Sequence, residues 1–269
     1  MPQTLNIAAL QLASLSFDKA KLDYYLTIAK SKNCQLLVLG EYVINLFFKE
    51  LEKTPIALIK EQAAHQKETL KKMATNYNIT IIAPTIIVEK DRPKKVIIKF
   101  SAASTQTYEQ QLLINYKHWN EEKFFDNEAR ELESPMVFHI GKVKCAVMYG
   151  FEVHFDPLWH ELHKKKVDVV IVPTASTFNS KPRWRDILKT RAFLNSTYVL
   201  RVNRVGSFHD KKVQWIFYGD SFLANPAGEI ELSAGNKEEM MIATIDREIA
   251  ANARKDWGFH HALQKRGML

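Results

Sequence analysis

The sequence predicts an α/β fold, and three observations carry that prediction. Short apolar runs alternate along the chain with longer segments whose apolar residues recur at helical spacing. The 269 residues are 46% hydrophobic and 25% charged, the make-up of a globular chain with a sizeable core. Nine glycines and nine prolines are spread thinly, with no low-complexity linker and no tandem repeat. One domain over residues 1–269 is therefore expected, with a tail from about 247 to 269 packed on the surface or on another subunit.

The elements follow in order. Leu5 to Leu12 reads as a strand, and Asp18 to Lys32 as a helix with Ala20, Leu22, Tyr25, Leu26 and Ala29 in phase. Leu36 to Leu39 is a short strand ending at Gly40-Glu41, and Pro55 to Tyr77 is a long amphipathic helix. Ile79 to Val88, Lys95 to Ala103 and Glu109 to Lys117 read as strands, the last running into a polar loop from His118 to Glu133. Lys142 to Tyr149 is a buried strand that stops at Gly150. A helix over Pro157 to Lys165 leads to the strand Val167 to Val172, and Arg185 to Ser196 is helical. Tyr198 to Val205, Gly219 to Ala224 and Met240 to Ile245 are strands, with a turn at Pro226-Ala227-Gly228-Glu229. From Arg247 the tail is helical, then irregular.

Composition excludes several classes. The two cysteines, Cys34 and Cys145, form no CxxC and are too few for an all-cysteine zinc site. Such sparse cysteine suits a reducing compartment. The opening Met1-Pro2-Gln3-Thr4 lacks the basic region of a signal peptide, and no apolar run could span a bilayer. A cytoplasmic protein without membrane contact is expected. The net charge of +8 is scattered, with no run longer than Lys164-Lys165-Lys166, and no nucleic-acid motif accompanies it. A solvated basic surface is preferred to a nucleic-acid partner.

In open α/β sheets chemistry collects at the carboxyl ends of strands. Three such ends carry suggestive residues: Glu41, Lys117 and Gly150-Phe151-Glu152. A carboxylate, an ammonium and a sharp strand-to-helix turn could converge in one pocket.

Here the pattern resembles the nitrilase superfamily of carbon–nitrogen hydrolases. Asn6 to Gln11 looks like its opening strand, and Leu37-Val38-Leu39-Gly40-Glu41 like its strand and Pro-Glu motif, with Gly40 for proline. Asn115-Tyr116-Lys117 looks like the aromatic-x-Lys motif. Gly150-Phe151-Glu152-Val153-His154-Phe155 sits where the family has Cys-x-Asp/Glu-x-x-Phe. Val170 to Ala175, Arg191 to Asn195, Asn203 to Gly206, Gly219 to Phe222 and Asn225 to Glu229 resemble later motifs, with Leu194 for the helix glutamate. The ordered set is specific where each piece alone is weak.

The resemblance implies a four-layer αββα sandwich, commonly paired as a homodimer, and hydrolysis of non-peptide C–N bonds without a cofactor. It implies a glutamate base, a lysine that stabilises the oxyanion, and a cysteine nucleophile that forms a thioester. Carried onto this chain, Glu41 is the base and Lys117 the oxyanion partner, with the Phe151 backbone N–H as second donor. Glu122 or Glu121 would be the further glutamate. Ala175 and Ser176, with Thr174, either shape substrate access or form a structural loop. Glu152 caps the following helix or pairs with Lys117.

The departure is at position 150, where glycine offers no nucleophile. Cys145 lies on the same strand but faces the other way, roughly 16 Å upstream at about 3.3 Å per residue. Cys34 precedes the first core strand, and both thiols read as inert core residues. The expectation is a homologue with Glu41 and Lys117 retained and its chemistry lost or impaired, holding a small amide-like or carbamoyl-like ligand. The alternatives are a hydrolase using activated water or another nucleophile, a variant of an active enzyme, and, from another class, a basic nucleic-acid binder. His154, His160 and His163 read as solvated helix residues rather than metal ligands, and Trp119, Trp159 and Trp184 as packing residues. The Lys181 to Arg185 segment reads as a solvated loop entering a helix.

Overall fold

Two six-stranded sheets stacked face to face organise the chain in this computed structural model, which describes residues 3–15, 18–210 and 213–269. Met1 and Pro2, read above as the start of a chain without a basic leader, lie outside the described residues. The first sheet runs β14 (Glu239–Asp246), β1 (Thr4–Gln11), β2 (Leu36–Leu39), β3 (Thr80–Glu89), β4 (Arg92–Phe100), β5 (Thr105–Glu109). The second runs β13 (Ile230–Ser233), β12 (Phe222–Ala224), β9 (Tyr198–Asn203), β8 (Val169–Thr174), β7 (Val143–Val147), β6 (Met136–Ile140). Parallel pairing joins β1, β2 and β3 in one sheet and β7, β8 and β9 in the other.

Alternation along the strands builds the layers. Leu5, Ile7, Ala9, Leu36 and Val38 of the first sheet meet Val143, Cys145, Val147, Ile171 and Leu200 of the second in a dry inter-sheet core. Their neighbours Ala8, Leu10, Leu37, Leu39 and Ile81 turn outward against α1 (Lys19–Ser31) and α3 (Ile56–Tyr77). On the far side Ala146, Val170, Val172 and Val199 pack under α4 (Asp156–Lys164) and α5 (Lys181–Asn195). The result is the αββα sandwich that the resemblance implies. Asp18 starts α1 by accepting from the Lys21 amide at 2.9 Å, and Asn78 ends α3 in the left-handed region at φ 52°.

Four segments differ from expectation. The strand expected over Glu109 to Lys117 ends at Glu109. Leu113 and Ile114 instead pack into an aromatic cluster around a short α2 (Phe48–Leu51), and the backbone turns back on itself through reciprocal Tyr116–Trp119 hydrogen bonds. The strand after Tyr198 is interrupted at Arg204, whose guanidinium donates to the Tyr42 carbonyl at 3.0 Å. A hairpin then forms from β10 (Val205–Asp210) and β11 (Val213–Tyr218). The strand expected from Gly219 starts only at Phe222, because Gly219 and Asp220 hold positive φ. The tail forms α6 (Arg247–Trp257) and α7 (Phe259–Gln264); Ala250 joins the inter-sheet core and Phe259 packs on Phe193 of α5. Among the described residues no helix is long and apolar enough to cross a membrane.

One buried ion pair ties this frame together. Arg201, fully buried on β9, donates to the Asp220 carbonyl at 3.0 Å and lies 3.4 Å from its carboxylate. Asp220 also receives Arg185 and Lys181, so the Lys181 to Arg185 segment is not a solvated loop but the first turns of α5, pinned to the sheet. The Arg201 guanidinium stacks on Trp184 at 5.0 Å. Removing one partner of a buried pair strands the other. Asp220→Ala is therefore expected to cost about 3–5 kcal/mol in urea unfolding, and an unchanged midpoint would contradict the assignment.

Candidate active site

The two stacked sheets are tied together at the carboxyl ends of β2 and β8, where the Glu41 amide donates to the Thr174 carbonyl at 3.2 Å. A cleft of about 740 Å³ opens there. Glu41, Gly150, Thr174, Ala175 and Ser176 line its base, and Tyr116, Trp119, Phe151, Phe178 and Trp184 its walls. Position explains the convergence. Glu41 comes two residues after β2, Gly150 three residues after β7, and Thr174 ends β8, so the ends of three strands from the two sheets reach one place. Five of the residues expected there, Glu41, Gly150, Phe151, Ala175 and Ser176, do line one cavity.

The cation against Glu41 is Lys95, not Lys117. Lys95 Nζ lies 2.7 Å from Glu41 Oε2 and 2.7 Å from Glu121 Oε1, with all three side chains at most 8% exposed. It also sits over the Tyr149 ring at 4.8 Å and the Tyr42 ring at 5.0 Å. The Tyr42 hydroxyl donates to Glu121 at 2.6 Å. Burial opposes the charge on Lys95, yet the two carboxylates outweigh it and hold the ammonium protonated above its usual range. Burial raises the Glu41 carboxyl, against the pull of Lys95 and with the push of Glu121. Two buried carboxylates thus share one ammonium.

Lys117 is exposed in the Tyr116–Trp119 turn and lies outside the cleft lining, because the chain there is a turn and not a strand end. Glu122 is exposed too and accepts from Asn115 at 2.5 Å; the buried glutamate of this segment is Glu121. Glu152 neither caps α4 nor meets Lys117. It is fully buried and accepts from the Tyr149 amide at 2.9 Å, the Gln111 amide at 2.7 Å and the Tyr108 hydroxyl at 2.9 Å. It thereby holds the chain on either side of Gly150 to the loop after β5. Burial pushes its carboxyl up to about 7, against those hydrogen bonds. His163 is buried rather than solvated, stacked on His260 with ring centroids 5.4 Å apart. Trp119 and Trp184 face the cleft as well as packing.

Gly150 has no room for a side chain. A Cβ built there would lie 2.6 Å from Thr174 Cγ2 and 3.3 Å from the Trp184 ring. Thr174 cannot swing aside freely, since its hydroxyl donates to Asn203 Oδ1 at 2.9 Å. Cys145 is buried in the inter-sheet core and outside the cleft, and burial raises its thiol far above the ordinary range. Cys34, also buried, packs under α1 and α3. The cleft thus presents a protonatable carboxyl at Glu41 and, along its lining, two buried polar atoms without a partner, Ser176 Oγ and Trp119 Nε1. Such orphaned groups gain from a ligand's amide or carbonyl. Among the described residues no group of three or more His, Cys, Asp or Glu could hold a metal.

Two outcomes test this geometry. Lys95→Ala leaves two buried carboxylates unpaired and is expected to cost about 3–5 kcal/mol, while Lys117→Ala stays within about 0.5 kcal/mol. Equal losses would reverse the assignment. For Glu152 the folded value of about 7 stands above the ordinary 4.5, so between these the native state holds a proton that the unfolded chain lacks. Its contribution to stability is present at the acid end of that window and is lost as pH rises through it. Denaturation of wild type and Glu152→Gln across the window should show the steeper fall in the wild type.

The comparisons agree with this fold. A profile described as carbon-nitrogen hydrolase matches residues 6–255. A deaminated glutathione amidase from Synechocystis is 28% identical over 125 residues, 45% of this chain and 44% of that protein. An N-carbamoylputrescine amidase from Solanum tuberosum is 26% identical over 152 residues, 52% of this chain and 50% of that protein. Against these relatives the chain spans about half of their length or less. A carbon-nitrogen hydrolase structure from Helicobacter pylori G27 superposes with TM-score 0.84 at 20% identity, covering 96% of this chain and 94% of its own. A mutant amidase from Nesterenkonia in complex with butyramide gives 0.75 at 17% identity, covering 94% and 95%. At these identities the solved structures speak for the fold, and the profile for descent: the chain belongs to the carbon–nitrogen hydrolase family.

Proposed function

We propose that this chain is a carbon–nitrogen hydrolase homologue that holds a small amide-like or carbamoyl-like ligand in the cleft without the thioester chemistry of its family. One observation carries the reading: position 150 lacks a nucleophile, and the space a side chain would need is filled by the Thr174 methyl. The hydroxyl bond from Thr174 to Asn203 holds that methyl in place.

Three further features support ligand binding. The Glu41 carboxyl lines the cleft, Ser176 Oγ and Trp119 Nε1 have no hydrogen-bond partner among the described residues, and the walls are aromatic. Lys95 is absent from the cleft lining and spends its charge on two carboxylates, so no free ammonium faces a developing oxyanion. The amidase names of the relatives and the butyramide complex of the Nesterenkonia protein suit an amide-type ligand. The reading includes a homodimer, supported by exposed Trp257 and Leu194 beside the Phe193–Phe259 ring contact. It includes a cytoplasmic setting, supported by two buried unpaired cysteines.

The test pairs Gly150→Cys with Gly150→Cys/Thr174→Ser, which drops the methyl and keeps the hydroxyl bond to Asn203. The single variant is expected to lose thermal stability and to resist alkylation at the new thiol. The double variant should regain stability and label with iodoacetamide, while amide turnover stays low in both because no free ammonium faces the oxyanion. Robust amide turnover by the unmodified chain overturns the proposal in favour of water activated by Glu41.

A further inference from the structure

At the pole opposite the cleft, where β7 and β8 begin, the surface folds into a groove of about 560 Å³. Six cationic side chains line it against one carboxylate: Lys142, Lys144, Lys166, Arg247, Arg254 and Lys255 against Asp168. They come from the β6–β7 hairpin, the segment before β8, and α6, which are far apart in sequence. The groove shares no lining residue with the cleft.

The single carboxylate is already spent. Asp168 is 2% exposed, accepts from the Lys144 amide at 2.9 Å and from Arg254 at 2.5 Å, and has Arg247 at 3.9 Å. Its work is to fix Arg254, whose guanidinium also donates to the Val167 and Ser196 carbonyls. Lys142, Lys166 and Lys255 are exposed and form no ion pair among the described residues. Converging ammonium groups repel one another, and that repulsion is relieved when a polyanion lies among them. The net excess of five positive charges is more than half of the chain's +8.

We propose that this groove binds a chain of phosphates, as in inorganic tripolyphosphate or the triphosphate tail of a nucleotide. The volume falls in the range of small-molecule sites, about 300–1,000 Å³. The cations gather round one hollow rather than along a stripe, which fits a short polyanion better than a duplex. No Phe, Tyr or Trp lines the groove; its only rings are the imidazoles of His139, His260 and His261, a smaller stacking surface than the aromatic platforms of single-strand binders. Phosphate oxygens take charge-assisted hydrogen bonds from ammonium and guanidinium groups alike.

The experiment is calorimetric titration of the full chain at low ionic strength with tripolyphosphate, with ATP and with a short DNA duplex. Saturable binding of tripolyphosphate or ATP is expected, weakened about tenfold or more in Lys142→Glu/Lys255→Glu and weakened by added salt. Equal binding of the two assigns the groove to phosphates alone, and tighter ATP assigns it to a nucleotide; both support the proposal. Both substituted lysines are exposed, and an unchanged melting temperature shows that the variant is folded; Lys166→Ala gives a second, milder variant. No saturable binding, binding unchanged in both variants, or binding of the duplex alone overturns the proposal.

Discussion

The ammonium of Lys95 between Glu41 and Glu121 is the constraint from which the rest of the site follows. A buried cation is tolerated only when its partners are in place, and its partners here come from separate segments. Lys95 rides on β4, Glu41 follows β2, Glu121 sits in the long loop after β5, and the Tyr149 ring beneath it belongs to the other sheet. Satisfying one charge therefore brings segments attached to both sheets to a single point. Tyr42 shows the cost of this closure. Its backbone is left-handed at φ 56°, a conformation non-glycine residues avoid. Bonds from Arg204 to its carbonyl and from its hydroxyl to Glu121 hold it there.

Much of the fold was legible because the inter-sheet and outer faces alternate cleanly in β1, β2, β7 and β8, and because Asp18 and Asn78 mark helix ends. Glu41 and Gly150 were legible because each comes within three residues of a strand's end. Lys117 misled because an apolar run, Leu112-Leu113-Ile114, reads as a strand when it is anchoring a loop in the aromatic cluster. The signal for Lys95 was present but ambiguous. It stands in phase with Ile97, which faces the inter-sheet core, yet Val96, Ile98 and Phe100 are just as buried against the helices. With both faces of a strand apolar, alternation cannot say which side a lone lysine takes. Charge pairing across 54 and 26 residues of sequence decided it, and that distance is invisible to local pattern.

The same lesson applies to the surface. Basic residues that look scattered along the sequence collect in space, because the hairpin, the segment before β8 and the C-terminal helices meet at one pole. A carboxylate buried beneath them, Asp168, orders the guanidinium of Arg254 and forms no ion pair with Lys142, Lys166 or Lys255. Cleft and groove thus lie at opposite ends of the central strands, joined by the rigid inter-sheet core and sharing no side chain.

The methyl group of Thr174 also bears on any attempt to put a thiol back. A Cβ at position 150 would lie 2.6 Å from it, closer than real Cβ contacts come, and the hydroxyl bond to Asn203 restrains the threonine. A single Gly150→Cys change therefore meets a filled space, and the neighbour has to give before a thiol can sit there.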